Sequence, residues 1–405
     1  MQTLMLESSR LKIDYLSLRN IFVFLNFYFL VVPFLFTLTF ESTIAIVIVC
    51  VGFLAFFVGY SHQKYLHFRM RLISNHNSML FFVLSLIFMS HDILSGVLSL
   101  RSSNSTLEYT SSFEVTDHDS LYSQIIELVF ISIKYYSYSV IMAKGRFIFY
   151  LVFISQIIFY ISSPTRLVAF YPFIVFTIYG YYMGYIKVSF FRVLILTIIS
   201  PVVFVILLLS RGEADKGFME RFDFILKSLD YDRFLAVLKI ALESFRSFDD
   251  LVKIINEQFV HLESGVLRLF FMPISRSYWG DKPESISRLI SQEYNPMQYV
   301  HGGGSVATIY GDAFINGHVL GVVIILFFLG GISRVLYNTL HKLSIHSNCQ
   351  TSTFILFYSI YIYNFLYFFR GFFSESYWKV IITAFVFYSL HVLTYRVGYK
   401  RHINV

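Results

Sequence analysis

The chain has 405 residues, 56% of them hydrophobic, 20% aromatic and only 14% charged, with a mean hydropathy of +0.65. Soluble domains carry about a quarter charged residues, so an ordinary water-soluble protein is excluded and a polytopic membrane protein indicated. The net charge of +7 then reads as a topology signal; no basic, aromatic-interleaved module accompanies it, and nucleic acid is not an expected partner. Cys50 and Cys349 sit in or beside different apolar runs, which supports neither a disulfide framework nor a metal motif.

Arg10, Lys12 and Arg19 precede a first apolar run at 21–40. That run is longer than a signal-peptide core and no small-residue cleavage site follows it, so it reads as an uncleaved span. A span takes about 20 apolar residues, and ten segments qualify: 21–40, 43–60, 79–98, 122–142, 147–162, 167–186, 191–210, 317–337, 352–369 and 377–395. Lipid offers the backbone no hydrogen-bond partner, so each is expected to be a helix. The fold class expected is an all-α membrane bundle in three parts. Residues 1–210 form a bundle of about seven helices, 211–316 a helical loop outside the membrane, and 317–405 a bundle of about three helices.

Cations sort the loops. One set holds Lys64, Arg69 and Arg71, then Lys144 and Arg146, Lys187 and Arg192, Arg334 and Lys342, with Arg396, Lys400 and Arg401 in the C-terminal tail. The opposite set holds Glu41, the acid-rich 101–119 stretch, Arg166 and the long 211–316 segment. Positive charge marks the cytoplasmic side, so both termini are expected inside and 211–316 outside. Within that segment Phe222, Ile225, Leu226 and Leu229, and again Leu251, Ile254, Ile255 and Phe259, recur at helical spacing. Ser247 with Asp250 reads as a capping box for the second of these helices.

The candidate site lies at 268–321. A helix from Ser305 would align Ser305, Thr308, Asp312 and Asn316 on one face, with Gly317 as its stop. Just before it, Gly302, Gly303 and Gly304 either form an anion-binding nest at the helix N-terminus or act as a flexible hinge. Arginine suits phosphate through its bidentate fork. Arg166, Arg211, Arg276 and Arg370 all fall on the side that should be poor in cations, and Lys282 joins them. His301 and Asp312 flank the glycine run as candidate general bases. Within the spans, Asp92 and His91 stand near the outer end of the third; Glu127 and Lys134, seven apart on one face of the fourth, suggest structural ion pairing that links helices. The patterns Asp117-His118-Asp119 and Asp230-Tyr231-Asp232 are too common by chance to indicate a metal–nucleotide-sugar site.

At these residues the chain resembles the Wzy-type O-antigen polymerases. The likeness is carried by the run Pro273-Ile274-Ser275-Arg276-Ser277-Tyr278-Trp279-Gly280-Asp281-Lys282-Pro283, then Gly311-Asp312, Ile315-Asn316-Gly317 and Gly321. The family shows a proline–arginine, tryptophan, lysine–proline run and later a Gly-Glu-x-Tyr-x-Asn-Phe-Gly-like entry into a span. Here Ser275 separates Pro273 and Ile274 from Arg276, Asp312 stands where the glutamate would be, and His318 follows Gly317. Ser163-Pro164-Thr165-Arg166 is similar to the family's arginine at an outer span start.

The resemblance implies a glycosyltransferase of the bacterial cytoplasmic (inner) membrane that polymerises undecaprenyl-diphosphate-linked oligosaccharide repeats into O-antigen or capsule outside the cytoplasm. No metal or other cofactor would be required, and a chain-length regulator is an implied partner. It implies catalytic roles for Asp312, His301 and Arg276. Arg166, Arg211, Lys282, Gly302, Gly303, Gly304 and Arg370 would bind the diphosphate or glycan. The alternatives are an O-antigen ligase, transferring glycan to lipid A core, and a flippase or other transporter of lipid-linked oligosaccharides.

Overall fold

The computed structural model describes residues 14, 16–36, 39–63, 66, 78–101, 120–160, 170–187, 246–261, 274, 278–281, 283–300, 304–343 and 349–403. Among them every regular element is helical. In chain order these are α1 (Leu18–Asn26), a π turn (Phe27–Val31), α2 (Val32–Phe36), α3 (Phe40–His62), α4 (Ser78–Arg101), α5 (Ser120–Met142), α6 (Arg146–Tyr160) and α7 (Tyr171–Tyr182). There follow α8 (Arg246–Asn256), α9 (Ile286–Tyr294), α10 (Pro296–Val300), α11 (Thr308–Leu343), α12 (Cys349–Tyr367), a second π turn (Phe368–Phe372) and α13 (Phe373–Ile403). Starts carry local signals: Ser17 caps α1 by accepting from the Asn20 amide, and Thr39 forms a reciprocal capping box with Ser42 on α3.

Seven described helices are long and apolar enough to cross a membrane. Their outward side chains are large and apolar, among them Phe24, Leu54, Leu86, Phe328 and Phe385, which suits lipid and not water. The chain is therefore a multi-pass helical membrane protein. Among the described residues, seven of the ten expected spans are present at spanning length. The expected fifth span is α6, of 15 residues, and the sixth contains α7, of 12. At 1.5 Å per residue these extend about 22 and 18 Å, short of a hydrocarbon core of about 30 Å. The expected seventh span, 191–210, lies outside the described residues, as does the helix expected around Phe222.

Glycine sets the central contact, between α3 and α11. A Cβ on Gly59 would lie 2.0 Å from the Phe327 carbonyl oxygen, and one on Gly330 would lie 2.1 Å from that of Phe56. In lipid, where apolar burial drives helices together only weakly, such close approach is how helices gain dispersion contact.

Hydrogen bonds gather one set of helix ends. Tyr182 OH donates to Asp14 Oδ2 (3.1 Å), Asn338 Nδ2 to the Leu66 carbonyl (2.9 Å), Tyr185 OH to the Met142 carbonyl (3.0 Å) and Thr351 Oγ1 to the Leu343 carbonyl (3.1 Å). These ends adjoin the loops that the cation pattern groups together. Burial raises the Asp14 carboxyl above its usual range, against the lowering effect of its bond from Tyr182.

Candidate functional site

At the other end of the bundle a polar cap sits over α11. Its first piece, α8, buries Phe248, Leu251, Ile254 and Ile255, as the helical spacing requires, and Leu251 and Ile254 lie beside Gly311. Ser247 already lies within the helix, and among the described residues its Oγ has no hydrogen-bond partner, so the expected capping box does not form. After α8 the chain turns through Gln258 (φ 51°), and the His261 amide donates to the Ile315 carbonyl at 3.0 Å.

The second piece, α9 and α10, fixes the approach to α11. Ser285 caps α9, the Ser305 amide donates to the Ser287 carbonyl at 2.9 Å, and Asn295 Nδ2 donates to Ser305 Oγ at 2.8 Å. Ser305 is thus held outside the helix, which begins at Thr308, three residues later than expected. A Cβ on Gly304 would lie 2.8 Å from Ser287 Oγ. This glycine is there for close approach, with its carbonyl held by Gln298 Nε2 at 2.9 Å; it is neither a loose hinge nor adjacent to the helix start.

Two helix breaks meet beneath this cap. The first half-helix of α11 opens at Thr308 with φ 57° and is interrupted at Gly317–His318, where His318 has φ 53°. Gly317 thus ends a helical stretch as expected, although the chain continues directly into a span. The other break is the second π turn, where Gly371 has φ 109°. A Cβ there would lie 2.9 Å from the Thr308 nitrogen and 3.1 Å from that of Ala307. A β-branched residue at positive φ is a strained conformation that the surroundings must impose, and here the two irregular backbones press on each other.

Asp312 joins them. It is 1% exposed. Its Oδ2 accepts from the Ser374 backbone amide at 3.0 Å and from Ser374 Oγ at 2.9 Å, and its Oδ1 accepts from Asn316 Nδ2 at 2.9 Å. The aligned face Thr308, Asp312, Asn316 is therefore present, turned inward. Ser374, in the first turn of α13, is a partner that sequence reasoning missed; only the interruption at Gly371 within an aromatic run hints at a helix restart. Arg370 is exposed on the π turn, its guanidinium 6.0 Å from the Phe372 ring centroid. Of the predicted site residues, Asp312, Gly304 and Arg370 are described. Arg276, His301, Gly302, Gly303, Lys282, Arg166 and Arg211 lie outside the described residues, as do both Asp-x-Asp patterns.

A second polar cluster lies inside the bundle. Lys134 Nζ is 2.9 Å from Asp92 Oδ1; Tyr138 OH donates to Asp92 Oδ2 at 2.7 Å and Gln156 Nε2 donates to the same oxygen. Lys134 also lies 4.5 Å from the Phe159 ring centroid. Lys134 thus links helices as expected, α5 to α4, with Asp92 as its partner, whereas Glu127 is exposed. Seven residues are about 10 Å along a helix axis, so sharing a face does not bring Glu127 within reach. The chain matches no protein-family model, no curated protein and no solved structure.

Proposed function

We propose that the chain is a polymerase of lipid-linked oligosaccharide repeats, a glycosyltransferase working at the extracytoplasmic face of a bacterial cytoplasmic membrane. One observation carries the reading: both helix breaks lie at the level where a span ends, under a polar cap. About 26 residues of α11 run beyond the break at Gly317–His318, on the order of 39 Å, and the 19 residues of α12 before the other break give about 28 Å. The irregular backbone, the buried acid and exposed Arg370 therefore stand at a membrane surface. There a lipid diphosphate can keep its tail in the bilayer and its sugars in water. The cation pattern of the loops makes that surface the outer one.

The chemistry follows from the residue types. A leaving diphosphate needs its charge neutralised, and arginine does this through paired N–H donors without a metal. Arg370 and Arg276 are assigned that role, with Arg166, Arg211 and Lys282 as further contacts. The attacking sugar hydroxyl needs a base, and His301 and Asp312 have the chemistry for it. Aromatic-rich helices line the path of the polyprenyl tail. A strain lacking its own polymerase, complemented with Arg276→Ala or Arg370→Ala at normal protein level, should show a single-repeat band in place of the glycan ladder. A full-length ladder from both variants would refute the site.

The second reading is a transporter of the same lipid-linked oligosaccharide, favoured by the buried Asp92–Lys134 pair and by the broken helices themselves. Transporter breaks surround a site near the midplane, whereas these stand at a span end. Accumulation of lipid-linked repeats on the cytoplasmic face in a deletion strain would select the transporter; accumulation on the outer face selects the polymerase.

A further inference from the structure

We infer that Asp312 is a positioning residue and not the general base: its carboxylate ties the restart of α13 to α11 and thereby holds the π turn that presents Arg370. For what Arg370 grips, this rests on the polymerase reading; the tie itself rests on geometry alone.

Both oxygens of the carboxylate are engaged. One oxygen takes both donors of Ser374 and the other takes Asn316 Nδ2, within a site that is 1% exposed. A base must reach the proton it removes; this carboxylate instead faces the first turn of α13. The N–H groups there have no partner within their own helix, and the positive end of the helix dipole favours an anion. Asp312 thus caps α13 from 62 residues away. The contact is reinforced a few residues earlier, where Gly371 lies directly on the backbone of Ala307 and Thr308. Arg370 immediately precedes that glycine and stands four positions before Ser374. Anything that frees Ser374 from Asp312 therefore moves the base of the Arg370 side chain.

Tether and base respond oppositely to Asp312→Asn. The asparagine keeps an oxygen to accept from Ser374. Its new NH2 can donate to Asn316 Oδ1, which among the described residues has no hydrogen-bond partner, once that amide rotates by half a turn; the rotation gives up the bond from Asn316 Nδ2 to the Asp312 carbonyl at 2.6 Å but leaves the contact with Ser374 in place. A tether therefore survives Asp312→Asn and fails in Asp312→Ala, whereas a base is lost in both. Losing a general base costs about 10²- to 10⁴-fold in rate.

Two measurements on the purified full chain decide it. A nitroxide on Arg370→Cys, with Cys50 and Cys349 replaced by serine, reads the turn without reference to activity. Asp312→Ala is expected to raise label mobility, Ser374→Ala to raise it less, and Asp312→Asn to leave it near that of the parent. Unchanged mobility in both alanine variants overturns the tether, and Ser374→Ala serves if Asp312→Ala does not fold. With Arg370 restored, Asp312→Asn should polymerise at a reduced but measurable rate and keep the parent pH profile, while Asp312→Ala makes single repeats. Loss of polymerisation in Asp312→Asn with parent-like mobility overturns the proposal in favour of the base. If the unmodified chain makes no ladder at all, the polymerase reading fails, and label mobility still decides the tether.

Discussion

Neutralising Lys134 alone should damage the protein more than neutralising Lys134 and Asp92 together. Lys134 lies eight residues from the end of α5 at Met142, about 12 Å along the axis, well inside a core of about 30 Å. In Lys134→Met, Asp92 keeps its donors from Tyr138 and Gln156 but loses its countercharge at 2.9 Å. An uncompensated charge near the centre of a membrane helix costs about 3 kcal/mol on insertion scales, and breaking one side of a buried pair costs about 3–5 kcal/mol. In Asp92→Asn the ammonium is left against the Phe159 ring at 4.5 Å, a contact worth only about 0.5–2 kcal/mol. The double variant Asp92→Asn/Lys134→Met carries no charge, and the introduced amide oxygen can still accept from Tyr138 and Gln156. It should lie about 2–3 kcal/mol above the worse single variant, since hydrophobic replacement of both partners of a buried pair is often neutral. The assay is equilibrium unfolding in mixed micelles titrated with SDS, with size-exclusion profiles to confirm folded starting material. A double variant no more stable than the worse single one would refute the reasoning, because it would mean that the charges had not been compensating each other.

The α3–α11 contact predicts an order among glycines: Gly59→Ala, facing a backbone carbonyl at 2.0 Å, should destabilise by more than Gly52→Ala, which meets the side-chain ends of Tyr310 and Val322 at 2.7 Å. Overpacking typically costs about 1–3 kcal/mol, and equal unfolding midpoints for the two would contradict the close-approach account. In intact cells lacking native cysteines, an impermeant thiol reagent should label Met297→Cys and spare Leu66→Cys, both exposed positions at opposite ends of the bundle; the reverse pattern would invert the assigned orientation. Polymerisation by purified protein should persist in chelator, because arginine supplies the charge neutralisation; activity lost to chelator and restored by magnesium would contradict that.

The helical bundle was legible because a membrane imposes one local rule, a run of apolar residues, on every element that crosses it. Two of the expected spans are less directly legible, because that rule has a length threshold: among the described residues α6 and α7 belong to the bundle at 15 and 12 residues long, and what keeps them there is packing against neighbours. Phe149 stacks on Tyr179, and Tyr171 meets Tyr363 edge-on at 4.5 Å. Lys134 was legible in kind but not in partner. A desolvated ammonium requires a countercharge within about 4 Å, which announces an ion pair linking helices, and Asp92 on the neighbouring span supplies it.

Asp312 shows how far such reading goes. Helical spacing put Thr308, Asp312 and Asn316 on one face, and they share it. An acid within an apolar stretch announces that it must have a partner, but not whether that partner is substrate or backbone. What tips the balance here is a second local signal that can be read in isolation yet gains meaning only in combination. Gly371 interrupts another apolar run, directly against the backbone of Thr308, and the restarted helix presents N–H groups with no acceptor of their own. A lone acid at the membrane surface invites a catalytic assignment. An acid opposite a broken helix already has a structural obligation, and the exposed arginine carried on that break is the more direct candidate for contact with the diphosphate.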